Sequence, residues 1–262
     1  MQGITQEMNF SETTFVYSSI TKKCVRKVRI FTPGREIPFA GHPTLGTAFV
    51  LRNQGIIQAD ENRAFLELGI GPIEVKFCEN DHVQMYQPIP QFLEVFKDKE
   101  LIAKVLRVAP TDISDKWPMQ FISTGFPYLI IPITSLATIQ KIHLNAELLV
   151  ESLTDFPAQD LVILSPETIH RDSHAHVRMF APSAGVLEDP ATGSAAGPIA
   201  AYLEANKILF NHKKGSKIIL EQGYELNRPS KLIAECLFQN RDFAEIIVGG
   251  RVRLTAEGCF FL

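Results

Sequence analysis

The sequence predicts an α+β protein built from two similar, mostly antiparallel halves with one central helix in each. Three observations carry this. Val28-Arg29-Ile30-Phe31-Thr32-Pro33 recurs as Val177-Arg178-Met179-Phe180-Ala181-Pro182. Each copy is followed by a glycine-bearing loop, Pro38-Phe39-Ala40-Gly41-His42-Pro43-Thr44-Leu45-Gly46 in the first and Asp189-Pro190-Ala191-Thr192-Gly193-Ser194-Ala195-Ala196-Gly197 in the second. Each loop opens an apolar run, residues 47–51 and 199–203, so each reads as a loop feeding the N-terminus of a buried helix. The second glycine stands three residues farther from its strand than the first, which one short insertion explains. A period this long signals duplicated domains and not a solenoid. Most of the remaining chain reads as short strands punctuated by Gly and Pro.

Taken in order, Ile4 and Met8 lie four apart among polar residues, as at the end of an amphipathic helix. Residues 9–17 change period and end in a β-branched and aromatic strand, which places Glu12 at the junction of loop and strand. Residues 27–32 alternate basic and apolar side chains as a strand does, and Pro33-Gly34 marks a turn. Pro43 suits the first turn of the next helix, which runs to about Asn53 with Gly55 placed to end it. Residues 65–75, broken at Gly69 and Gly71, and 82–85 read as strands, with Pro88 and Pro90 at the exit. Residues 94–106 read as a helix, and Pro110-Thr111-Asp112 as a domain boundary. The halves are then 1–112 and 113–251, with the tail 252–262 available to complete the first. In the second half, 119–123, 127–133, 161–165 and 177–180 are strands, 135–141 and 145–153 are helical, and the helix after Gly193 ends near Lys207. Strands follow at 217–220, 231–238, 245–248 and 251–255.

Composition excludes several classes. With 45% hydrophobic and 21% charged residues, the 262-residue chain has the make-up of an ordinary globular protein. A net charge of −3 argues against a nucleic-acid surface, and the compact basic group His212, Lys213, Lys214 and Lys217 reads as a solvated loop. Cys24, Cys78, Cys236 and Cys259 are scattered, without C-x-x-C spacing, as expected of free thiols in a reducing compartment. No apolar run approaches the roughly 18 residues of a membrane span. The first residues lack the basic start and apolar core of a signal peptide, so a cytoplasmic location is the default. No glycine-rich nucleotide loop follows a strand, and no cofactor is implied. His174-x-His176 could place two imidazoles on one strand face, but no third ligand has suitable spacing, and no metal site is expected. The Gly-x-Ser-x-Gly pattern of a serine nucleophile is absent around Ser194.

Asn9-Phe10-Ser11-Glu12-Thr13-Thr14-Phe15, Phe39-Ala40-Gly41-His42-Pro43 and Asp189-Pro190-Ala191-Thr192-Gly193-Ser194-Ala195 together resemble the phenazine-biosynthesis PhzF-like isomerases. Gly223, Arg228-Pro229-Ser230 and Val248-Gly249-Gly250-Arg251-Val252 resemble that family's later landmarks, so the likeness covers nearly the whole chain. It implies a diaminopimelate-epimerase-like fold: two pseudo-symmetric domains, each a barrel-like sheet around a central helix, with the site between them. It also implies a homodimer. The two cysteines that diaminopimelate epimerases carry at their helix starts are replaced here by Gly41-His42 and Gly193-Ser194, which excludes a two-thiol racemase. Members of the family begin with an additional strand and turn; here the first residues already belong to the following helix. Either the start is placed late or the first sheet is one strand short, with an exposed edge near the Glu12 strand.

The expected chemistry is movement of a proton between carbons of a small carboxylate-bearing molecule. This needs a base that returns the proton elsewhere and groups that hold the released charge. Glu12 is the candidate base, a role the resemblance also implies. A free Glu, with a pKa of about 4.3, is a weak base, so burial between the halves would have to raise it. Otherwise Glu12 is a surface carboxylate at a strand start. Backbone N–H groups at Gly41 and Gly193 would face inward at helix N-termini that attract a carboxylate or enolate. His42 is a candidate catalytic residue, as a hydrogen-bond donor or proton relay, and in the resembling family this His helps orient the substrate; alternatively its ring bonds a neighbouring carbonyl. Asp189, held extended before Pro190, either points into the cleft or serves its turn. Ser194 contacts the ligand carboxylate, caps the helix, or both. Glu36, near the first loop, has no assigned part. The alternative from another class is a non-catalytic small-anion-binding or scaffold protein of the same fold.

Overall fold

The computed structural model describes residues 1–208, 217–240 and 242–259. The basic residues His212, Lys213 and Lys214 lie outside them. The first half runs α1 (Gln2–Met8), β1 (Thr13–Tyr17), β2 (Arg26–Phe31), β3 (Glu36–Ile37), α2 (Gly41–Asn53), β4 (Arg63–Leu68), β5 (Gly71–Phe77) and β6 (His82–Gln87). The chain continues through β7 (Gln91–Val95), α3 (Lys99–Leu106), a 3-10 turn at Pro110–Asp112, β8 (Gln120–Ser123), β9 (Pro127–Pro132), α4 (Leu136–Ile139) and α5 (Ala146–Ser152). It ends with β10 (Leu161–Ser165), β11 (Ala175–Ala181), β12 (Val186–Asp189), α6 (Gly193–Ala205), β13 (Lys217–Gln222), β14 (Ser230–Gln239) and β15 (Asp242–Arg251).

The strand path is β1-β2-β4-β5-β6-β15-β14-β13-β11-β10-β9-β8-β7, with β3 on β2 and β12 on β11. Its two arms repeat one plan. β1 pairs antiparallel with β2, β2 parallel with β4, and β4, β5 and β6 follow antiparallel. β10, β11, β13, β14 and β15 repeat these senses in the same order. In both arms a short return strand leads into a 13-residue helix. The expected α+β class with two similar halves is therefore the observed one, and β6 pairing antiparallel with β15 joins them.

Two segments differ from expectation. Residues 94–95 belong to β7, which pairs with β8, and the helix starts only at Lys99, because the Asp98 side chain accepts from Leu101 N and sets the N-cap. Residues 252–255 form no strand: β15 ends where Arg251 meets His82, the first residue of β6, so the partner has run out. Past Arg251, Val252 N donates to Asp81 O, and 253–259 are exposed. Since β7 pairs and α3 packs with second-half elements, we propose the boundary between the halves at Pro88 and Pro90, upstream of the 112/113 position.

The strands β9, β10 and β11 are buried on both faces, which is why they read as nearly continuous apolar runs. Ile122, Tyr128, Ile130, Val162 and Val177 join the core around the central helices, whereas Phe121, Leu129, Ile131, Leu161 and Phe180 pack outward under α3, α4 and α5. The helix α6 is buried from Gly193 to Leu203 although it contains Gly197 and Pro198. Its intrinsic propensity is poor, so tertiary burial holds it helical. No helix among the described residues is long and apolar enough to cross a membrane.

Candidate active site

The two central helices meet end to end. A Cβ on Gly41 would stand 2.5 Å from Gly193 Cα, and one on Gly193 would stand 3.0 Å from His42 N. Only glycine lets two backbones approach this closely. Neither helix has a side-chain cap: Ala40 occupies one N-cap, and Thr192, at the other, turns its hydroxyl onto Asp189. The amide groups of Gly41, His42, Gly193 and Ser194 donate to no partner among the described residues. Two positive helix ends with free N–H groups thus converge, the arrangement that draws an anion.

Against this junction lies a cavity of about 30 Å³ that Glu12, Ala40, Tyr128, Asp189, Thr192 and Ser194 help to line. Glu12 reaches it from the residue before β1, with its side chain 12% exposed. Its Oε2 is 3.3 Å from His42 Nε2 but misaligned for a hydrogen bond, and remains an unpaired buried acceptor among the described residues. Burial raises the Glu12 pKa; His42 pulls it back, Asp189 adds to the rise, and Ser11 lowers it slightly. His42, the second residue of α2, has a half-exposed ring beside an open groove over α2 that Glu12 also lines.

Asp189 does two things at once. Its carboxylate is buried in the cavity wall and accepts from Thr192 Oγ1 at 2.7 Å, so it also serves the turn that starts α6. Ligand atoms of Glu12, His42 and Asp189 lie within 4.8 Å of one another, a spacing that could also hold a cation. Ser194 does not cap its helix; its Oγ shares a 2.6 Å hydrogen bond with Tyr128 OH. Glu36 faces away, paired with Arg29. The structure thus brings Glu12, His42, Gly41, Asp189, Gly193 and Ser194 to one place.

Sequence reasoning missed the residues that brace this place. Tyr128, fully buried on β9, carries no signal within its apolar run, and burial with the charge of Asp160 keeps its phenol protonated. Gln87, at the end of β6, donates to Gly193 O at 3.1 Å and accepts from Thr124 Oγ1, tying the first half to the second helix start. Gln222, at the end of β13, donates to Asp189 O at 2.6 Å and to Thr192 Oγ1, and accepts from Thr192 N. Gly223 follows with φ 83, a conformation that favours glycine, and a Cβ there would also stand 2.6 Å from Pro190 O.

Beside Gln222, Glu221 joins a buried triad. His176 donates through both ring nitrogens, 2.9 Å to Glu221 and 2.9 Å to Glu225, and Glu221 also accepts from His170 N and Ile169 N. Burial alone would depress the His176 pKa, but the bonds to Glu225 and Glu221 prevail and raise it, while both carboxylates are held below their usual range. The paired imidazoles of the sequence are therefore occupied, since His174 Nδ1 accepts from Ile219 N. Replacing His176 with Gln leaves facing carboxylates uncompensated and is expected to cost about 3 kcal/mol. The His contribution is present below its ordinary value and lost as pH rises through the raised one; the Glu contributions are lost as pH falls through their lowered values. Denaturant melts across pH should show the wild-type advantage over the variant narrowing at both ends.

The family model described as phenazine biosynthesis-like protein, PhzC-PhzF, matches residues 1–258. The chain belongs to this family. As a PhzF-family protein it is an isomerase, in line with its relatives. An uncharacterized isomerase of Mesorhizobium japonicum is 34% identical over all of this chain and 88% of its own length. The trans-2,3-dihydro-3-hydroxyanthranilate isomerase of Pseudomonas aeruginosa is also 34% identical, with the same coverage. A PhzF-family crystal structure from Bacillus anthracis superposes with a TM-score of 0.84 at 28% identity, over 95% of this chain and 84% of that one. A hydroxyproline epimerase from Agrobacterium vitis, 12% identical with a TM-score of 0.63 over 92% of this chain and 71% of that one, shares the fold. The expected diaminopimelate-epimerase-like architecture is thereby the architecture of this PhzF protein.

Proposed function

We propose that this PhzF-family isomerase moves a proton between two carbons of a small carboxylate-bearing molecule, with Glu12 as the shuttle. One observation carries the reading: a buried carboxylate with an unpaired oxygen stands in the cavity at which two uncapped helix starts converge. The Glu12 carboxylate takes a proton from one carbon, becoming the acid, and the electron pair left behind delocalises into the substrate. Glu12 then returns the proton to another carbon, so no oxidant or reductant is consumed. Amide groups at Gly41 and Gly193, with the Ser194 hydroxyl, hold the substrate carboxylate or the developing negative charge. Such preorganised donors are worth roughly 3–4 kcal/mol each where charge develops, more than the helix dipole's ~0.3–2 kcal/mol. His42 and Asp189 orient the substrate around Glu12.

The first compound to test is trans-2,3-dihydro-3-hydroxyanthranilate, which the Pseudomonas relatives are named for. Incubated with the protein in D2O, it should isomerise and gain one carbon-bound deuterium from solvent-exchanged Glu12. Absence of both isomerisation and deuterium incorporation, here and across a panel of small unsaturated carboxylates, would overturn the reading.

A further inference from the structure

The repeat lets the two helix starts be compared residue by residue. In the second half β11 sets His176 beside Glu221 and Val177 beside Gln222; in the first, β2 sets Arg26 beside Leu66 and Lys27 beside Glu67. Val28 corresponds to Val177, so Lys27 corresponds to His176, Glu67 to Glu221 and Leu68 to Gln222. The ion pairs Lys27–Glu67 and His176–Glu221 agree with this alignment. So do the return strands, where Ile37 pairs with Ile30 as Asp189 pairs with Met179. The next glycines match as well: a Cβ on Gly69 would stand 2.7 Å from Pro38 Cα, and one on Gly223 would stand 2.6 Å from Pro190 O. Ile37, Ala40 and Leu68 therefore hold the places that Asp189, Thr192 and Gln222 hold in the second half. One framework of strand end, proline turn and helix start is built twice, once with apolar side chains and once with polar ones. The framework itself does not require the polar set.

We propose that Gln222 is a positioning residue of this isomerase, which acts through Thr192 to hold the Asp189 carboxylate in the orientation that turnover requires. This rests on the cavity being the substrate site and on Asp189 orienting the substrate, as proposed above. Gln222, Thr192 and Asp189 are all buried, and Gln222 is not among the residues that line the cavity. Its amide has one workable orientation, because Thr192 N donates to Oε1 at 3.1 Å and a flipped amide would set N–H against N–H. Nε2 then spends its two protons on Asp189 O at 2.6 Å and on Thr192 Oγ1 at 2.9 Å. Since the Thr192 hydroxyl accepts from Gln222, its single proton goes on to Asp189 Oδ2 at 2.7 Å. Asp189 is thus gripped at its main chain and at one carboxylate oxygen from a single side chain behind the wall. Burying an amide and a hydroxyl is costly unless both are bonded, and the apolar counterparts in the first half avoid that cost. The polar set earns its place by what it does to Asp189.

The test measures turnover of trans-2,3-dihydro-3-hydroxyanthranilate, with every variant assayed below its own melting temperature. Gln222→Leu installs the side chain that the first half already uses. It should lower kcat by about 10²-fold, the scale of a misplacement of about 1 Å, and leave KM within a few-fold. Thr192→Val removes the relaying hydroxyl and should lose comparably, and Thr192→Ser should recover most of what the valine loses. A double-mutant cycle separates positioning from general support of the fold. Once Asp189→Asn has removed the carboxylate, adding Gln222→Leu should slow the enzyme little further, because Gln222 acts through Asp189. Crystal structures of wild type and Gln222→Leu give a readout that needs no substrate: the Asp189 carboxylate should turn away from its wild-type position while the Gly193 backbone stays. If wild type isomerises nothing, the shuttle fails, and the crystal structures still decide whether Gln222 holds Asp189. Wild-type kcat in Gln222→Leu, additive losses in the double variant, no recovery in Thr192→Ser, or an unmoved Asp189 in the variant would each overturn the proposal.

Discussion

Glu12→Gln is expected to slow isomerisation by about 10²–10⁴-fold, the usual loss when a positioned acid–base group is removed. The amide keeps the shape and size of the carboxyl but cannot accept a proton at neutral pH, so substrate binding should change far less than turnover. Burial lifts Glu12 above its ordinary 4.5, with Asp189 adding to the rise against His42 and Ser11. The acid limb of kcat/KM in wild type should therefore lie above that value and be missing from the residual activity of the variant. The same shift has a stability consequence of opposite sign. A carboxyl whose folded pKa is raised stabilises the fold at low pH, and this is lost as pH rises through the folded value. The variant should consequently melt no lower than wild type at neutral pH, which separates lost chemistry from lost structure. Turnover within a few-fold of wild type would remove Glu12 from the mechanism.

Gly41→Ala is expected to abolish isomerisation and to destabilise the fold by about 4 kcal/mol or more, a magnitude reached only by exceptional single changes. The new methyl group would stand 2.5 Å from Gly193 Cα and closer to the carbonyl carbon of Gly193 and the amide nitrogen of Ser194. Those are backbone atoms, so no rotamer change can relieve the overlap; one helix start must back away from the other, and the converging amides separate. Gly46→Ala is the control on the same helix. A Cβ there meets nothing within 4 Å, and replacing a mid-helix Gly by Ala typically gains about 0.5–1 kcal/mol. The two variants should shift the melting temperature in opposite directions. If they shift it alike, the close approach of the helix starts is not what holds the site.

Much of the site was legible because its signals are local. A glycine beside His42 or Ser194, opening an apolar run, announces a helix start whatever surrounds it. The change of period after Asn9 places Glu12 at the head of a strand in the same way. Residues 94–95 were misread because their strand character comes from pairing with β8, a partner some 25 residues away, while their local composition suits the adjoining helix. Tyr128 was missed because it lies inside β9, where the apolar run continues past it, and its hydrogen-bond partner Ser194 is 66 residues away. His176 was weighed with His174 as a metal face and set aside; its partners Glu221 and Glu225 come from a strand and turn far along the chain, beyond any local pattern.

Local chemistry sets the duplicated plan, the two glycine-led helix starts and the acidic residue ahead of the first strand, because turns, caps and periodicity are settled within a few residues. That these pieces face one cavity, and that Gln87 and Gln222 hold its walls, are tertiary facts. Those facts depend on β6 lying against β15 and Gly41 against Gly193, contacts between residues more than a hundred positions apart. Such contacts arise from packing of the whole core, and no local pattern encodes them.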